Sequence, residues 1–145
     1  MVKQTAAVRI KRAAAIRNQR RLRFSLFYLQ LNHPNFVLHE CDHAFFLALF
    51  QEIARYQEFT VDEFLEPCAA EHRHAIFFDH SNVPGGFPHI DPAYDPELWT
   101  DTPWQFAVRG QQVGESTWRV HGFIDNVTFY IVWLDPRHQL FIRPQ

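Results

Sequence analysis

Arg119, His121, Tyr130 and His138 are the residues whose types and spacing suggest chemistry, and all four fall in one otherwise apolar stretch, "WRVHGFIDNVTFYIVWLDPRH", residues 118–138. A guanidinium fork holds phosphate through paired hydrogen bonds, and an imidazole moves protons near neutral pH. Metal-independent RNA cleavage needs a base for the 2′-hydroxyl, an acid for the departing 5′-oxygen, and a cation for the charge gathering on the phosphoryl group. The four side chains are of the right kinds for those roles.

The element that must position them reads as a β-hairpin. Asp125-Asn126 supplies a two-residue turn, since both residue types tolerate positive φ. Residue 124 then opposes 127, 122 opposes 129, 121 opposes 130, and 119 opposes 132. One face carries Trp118, Val120, Gly122, Ile124, Val127, Phe129, Ile131 and Trp133, all apolar, and is expected to pack on helix 42–56. The other carries Arg119, His121, Phe123, Thr128, Tyr130, Val132 and Leu134. His121 is placed directly across from Tyr130, about 5 Å away at Cβ. The same residues also fit a plainer reading, an amphipathic sheet whose outer face is polar and on which Tyr130 stabilises His121.

Upstream, "RFSLFYLQL" (23–31) is apolar on both alternating sets and predicts a strand buried on both faces. "CDHAFFLALFQEIARY" (41–56) has helical spacing with Asp42 as cap. "FTVDEFLEP" predicts a short helix with Thr60 and Glu63 as a capping box. "HRHAIFFDH" (72–80) suits a short strand, 81–103 a long loop with room for one helical turn near "DPELW", and 104–110 a strand. The expected fold class is α+β. It has an antiparallel sheet of about four strands, with two or more helices on one face.

The charge is unevenly spread. Residues 1–23 carry eight Lys and Arg and no acid, which leaves the remainder at −10 within a net charge of −2. Residues 1–22 are therefore read as a basic helical arm, helical over about 5–20, ahead of a single domain, 23–145. Arg9, Lys11, Arg12, Arg17, Arg20 and Arg21 of the arm, with Arg137, are the candidate nucleic-acid contacts. A helix docked on the acidic body or on a partner also fits the arm, and so does a transit peptide.

A chain of 145 residues that is 47% hydrophobic, with fifteen Phe, can bury a core as one domain. Cys41 and Cys68 form no CxxC pair and suit buried thiols of a cytoplasmic protein, their pairing left open. No secretory signal or membrane span is expected.

The order of elements, with "WRVHGF", "FYIVWL" and "RHQLF" in its last part, resembles the small α+β fold of RelE/ParE-like toxins. The likeness covers roughly residues 22–141 in order and 118–141 in motif. It implies a ribonuclease toxin with a neutralising protein partner, Arg119 as phosphate ligand and His138 as acid or base. Phe141 stands where such toxins often have Tyr. The hairpin also resembles uncharacterised bacterial proteins ending in "RVHGF…FYIVWLDPxHxLYP".

Two other function classes fit. In one, the protein is a non-catalytic module that binds nucleic acid or protein through its arm. In the other, His72, His74 and His80 join His89 or Asp91 in a metal-dependent hydrolase. No HExxH or phosphate-cradling glycine motif is present, and the main reading requires neither cofactor nor metal.

Overall fold

The computed structural model describes residues 5–8, 21–87, 103–109 and 117–141. The expected helix over 5–20, and Arg9, Lys11, Arg12, Arg17 and Arg20 on it, lie outside those residues apart from 5–8. So do His89, Asp91 and most of the expected 81–103 loop.

The fold is α+β. Its elements are β1 (Arg23–Ser25), α1 (His43–Tyr56), α2 (Val61–Phe64), β2 (His74–Ala75), β3 (Pro103–Ala107), β4 (Arg119–Asp125) and β5 (Thr128–Asp135). Short 3-10 turns cover Leu38–Glu40, Ala69–Glu71 and Phe78–His80. The sheet has five strands in the order β1-β5-β4-β3-β2. It is mixed rather than antiparallel, because β1 runs parallel to β5 while the other pairs are antiparallel. Parallel neighbours require a long crossover, and the chain between β1 and β5, helices included, provides it.

Local chemistry sets the helices where the sequence predicts them. The Asp42 carboxylate accepts from the Phe45 amide at 2.9 Å and starts α1. Thr60 and Glu63 cap α2 reciprocally. β1 is shorter than the apolar run suggests. Ser25 Oγ accepts from the Phe27 amide at 3.1 Å, and that local bond turns the chain out of the strand. Leu26, Phe27 and Leu31 are consequently exposed rather than buried on both faces.

The hairpin differs from the expected register. The turn is Asn126-Val127, with Asn126 left-handed at φ 58°, so Asp125 pairs with Thr128, Ile124 with Phe129 and Phe123 with Tyr130. An irregularity at His121/Gly122 then leaves Gly122 opposite Ile131 but His121 opposite Trp133, with Val132 as the extra residue. A bulge of this kind inverts the faces beyond it. Trp133 thus moves to the second face and Leu134 to the first. His121 does not oppose Tyr130, and Arg119 opposes Asp135 rather than residue 132. Gly122 makes the irregularity possible. A Cβ there would strike the Tyr130 carbonyl oxygen and lie 2.6 Å from the Phe129 ring.

Both faces of the sheet are covered. On the first, Phe45, Ala48, Leu49 and Tyr56 of α1 and Phe64 of α2 pack on Val120, Phe129 and Ile131, which the sequence assigns to the helix-facing side, and on Leu134, which it does not. On the second, Phe36, Ile76, Phe87 and Leu140 close over Phe123, Val132 and Trp133. This smaller aromatic core is organised by Trp133, which stacks on Phe36 at 4.4 Å and donates to Gln30 Oε1 at 2.7 Å. The second face is therefore not an open polar surface. Arg119 and His121, expected to stand clear of the core, are buried. Cys41 and Cys68 are free thiols, and burial pushes the Cys41 thiol up to about 12.

A charged cluster ties α1 to the turn before β2. Arg55 and Arg109 each reach both Glu52 and Glu71. Arg73 bonds Glu71 and also donates to the carbonyls of Phe64 and Glu66 at the end of α2. Tyr56 donates to Glu71 at 3.1 Å. Burial alone would raise the Glu71 carboxyl, but Arg55, Tyr56 and Arg73 together hold it below its ordinary value.

Candidate functional site

The sheet register lays a polar row across its second face. His74 of β2 pairs with Gln105 of β3, Gln105 with His121 of β4, and His121 with Trp133 of β5. Arg119 and Asp135 form the next pair along. At the open end of this row lies a cavity of about 200 Å³ lined by His72, His74, Gln105, Arg119, His138, Leu140 and Phe141. Arg119 and His138, chosen from sequence, meet here. His72 and His74, considered in sequence only as metal ligands, meet them.

Each side chain has a traceable support. His72 follows Glu71 directly and sits in the left-handed region at φ 48°, so the arginine cluster on Glu71 anchors the backbone that carries it. His74 donates from Nδ1 to the Ala75 carbonyl at 2.8 Å, which leaves Nε2 to accept from the Gln105 amide at 3.1 Å. Both ring nitrogens of His74 are thereby engaged. Arg119 donates from Nη1 to its neighbour's carbonyl, Trp118 O, at 3.0 Å. His138 keeps part of its surface in solvent, with the rest covered, and its backbone is left-handed at φ 54°. Burial, and then the Arg119 charge, lower its imidazole below the ordinary value.

His121 sits behind the cavity and is fully buried. Its Nε2 donates to Asp135 Oδ2 at 2.9 Å, while Nδ1 has no hydrogen-bond partner among the described residues. Burial lowers His121 against the pull of Asp135, so the imidazole is neutral at pH 7. Burial would raise Asp135, but the bond from His121 and the amides of Gln139 (2.7 Å) and Leu140 (3.0 Å) hold it below the ordinary carboxylate value. Asp135 thus ties the strand end to the segment after His138. His121 bonds Asp135 and does not line the cavity.

Tyr130 is elsewhere. It stacks on Phe123 at 5.1 Å and meets Tyr28 edge-on at 5.2 Å, within the second core. Arg137 is exposed and pairs with Glu40 at 2.8 Å. Arg21 bridges to Thr60 through its backbone. Among the described residues no group of three or more His, Cys, Asp or Glu is placed to hold a metal ion. A larger cleft, about 290 Å³, lies between residues 76–80, 84–86 and Pro103, and among the described residues it gathers Asp79 and His80 as titratable groups.

Sequence reasoning missed Gln105 and Asp135. Asp135 carried a signal, an acid closing a strand that is otherwise apolar or aromatic apart from Thr128. Gln105 carried none, because its place depends on contacts across the sheet. Compared with known proteins, the chain matches no family model, no curated protein and no solved structure.

Proposed function

We propose that the cavity binds the phosphate of a nucleic-acid backbone and that the protein is a metal-independent ribonuclease. The supporting observation is the convergence of one arginine and three histidines, His72, His74 and His138, with Gln105 on a single small cavity. Arg119 holds the non-bridging phosphate oxygens. His138 is lowered by burial and by Arg119, so it is unprotonated at neutral pH and takes the 2′-hydroxyl proton. The 2′-oxygen attacks phosphorus, the bond to the 5′-oxygen breaks, and His72 gives that oxygen its proton. His74, with both nitrogens engaged, and Gln105 hold the wall of the site. Tyr130 has no part in it. The resemblance of residues 118–141 to RelE/ParE-like toxins points to the same chemistry, with growth arrest as its biological form.

Cleavage of a defined single-stranded RNA in EDTA tests the reading. Wild type should leave 2′,3′-cyclic phosphate ends. His138→Asn keeps a residue that tolerates φ > 0 and should lose cleavage while remaining folded. Arg119→Lys keeps the charge without the fork and should lose most of it. Because the His138 imidazole is lowered, the acid limb of the rate profile should fall below the ordinary value of about 6.5. If wild type and His138→Asn give identical RNA ends, catalysis at this cavity is wrong. The protein is then a binding module, a reading favoured by its acid-free basic arm.

A further inference from the structure

We infer that Phe141 is a stacking platform for the nucleobase attached to the bound phosphate, held in place by Asn82. The inference rests on the phosphate-site reading and adds the unit of ligand that the site recognises. Pockets that enclose drug-sized ligands span about 300–1,000 Å³, whereas this cavity is about 200 Å³. It accommodates a phosphate group and leaves the rest of a nucleotide over the rim. The rim residue is Phe141, which is 53% exposed.

An exposed phenylalanine is ordinary by itself. This one is unusual in how its backbone is held. Its amide donates to Asn82 Oδ1 at 3.0 Å, and its carbonyl accepts from the Asn82 amide at 3.2 Å. Asn82 Nδ2 also donates to the Gln139 carbonyl at 2.7 Å. A single asparagine therefore clamps the chain on either side of Leu140, whose own amide is bonded to Asp135. Leu140 is buried in the second core and His138, one residue before the clamped Gln139, lines the same cavity. The ring is thus presented to solvent from a fixed backbone beside Arg119 and His138. A flat apolar surface next to a cationic phosphate pocket matches a nucleotide. A base stacks on an aromatic ring whatever its sequence, while the phosphate supplies the charge. The site should accordingly favour nucleotides over sugar phosphates, with little discrimination among bases.

Calorimetry on the full chain with three probes tests this: inorganic phosphate, ribose 5-phosphate and adenosine 5′-monophosphate. Wild type should bind the nucleotide roughly 5- to 150-fold more tightly than ribose 5-phosphate, the range that one base–aromatic stack carries. Phe141→Ala should bring that ratio close to one by lowering nucleotide affinity. Phe141→Trp should keep or raise the ratio. Asn82→Ala should reduce it with the phenylalanine still present, which separates positioning from contact. Phosphate binding without preference for the nucleotide, or a preference that survives Phe141→Ala, overturns the stacking role alone. Failure of wild type to bind inorganic phosphate overturns the phosphate site and the stacking role with it.

Discussion

His121 and Asp135 bury an ionisable pair beneath the candidate site, and their environments make acid the weak side of this fold. Both bind protons less readily folded than unfolded. Stability therefore falls as pH falls. For His121 the loss starts as pH drops through about 6.5, the unfolded imidazole value. For Asp135 it starts at ~3.9 and is complete below the folded value. Urea midpoints measured from pH 8 to pH 3 should decline in two stages, and His121→Gln should shrink the first. Constant midpoints between pH 7.5 and 5 would contradict a neutral buried His121. Asp135→Ala strands three donors, His121 Nε2 and the amides of Gln139 and Leu140. It should cost about 1–3 kcal/mol for each donor left buried without a partner.

At the scale of elements, the irregularity in the β4–β5 hairpin decides which side chains reach the site. Without the extra residue at Val132, Trp133 would face the helices and the aromatic cover of the second face would lose its centre. Gly122→Ala places a methyl against the Tyr130 carbonyl and the Phe129 ring, one backbone and one fully buried. Neither can yield cheaply. The variant should be destabilised by about 1–3 kcal/mol or more, as overpacked cores are, measured by urea unfolding. It should also weaken phosphate binding at Arg119, since the shift propagates along β4. A Gly122→Ala protein of wild-type stability would mean that the hairpin pairs without the irregularity.

Across the whole molecule, charge separates a basic stretch, residues 1–23, from an acidic remainder. Among the described residues the buried core starts at Leu22, which donates to Phe59 O at 2.9 Å. If residues 1–20 form an arm ahead of the domain, as their composition suggests, removing them should leave the melting temperature almost unchanged. It should lower RNA affinity and flatten its salt dependence, by about 0.7 in log–log slope for each single-strand phosphate that the arm neutralises. Filter binding of full-length and truncated protein over a salt series measures both. If the two proteins bind RNA identically at low salt, the arm does not touch nucleic acid.

The local rules of the chain were legible in the sequence by itself. Asp42 and Thr60 cap their helices because capping uses only residues within one turn. The apolar set around Phe129 and Ile131 faces α1 because alternation is intrinsic to a strand. The α+β class follows from those two facts, and Arg119 and His138 could be named from residue type. Tertiary structure decided the rest. The hairpin register turns on Gly122 tolerating close backbone approach, and no pattern in the strand announces an extra residue. The cover over the second face comes from Phe36, Ile76, Phe87 and Leu140, which lie outside β4 and β5, so the burial of His121 could not be read from the hairpin. His72, His74 and Gln105 join Arg119 only because β2 and β3 pair beside β4. Side chains from separate strands become neighbours through sheet order, and sheet order is set by packing of the whole chain rather than by any segment of it.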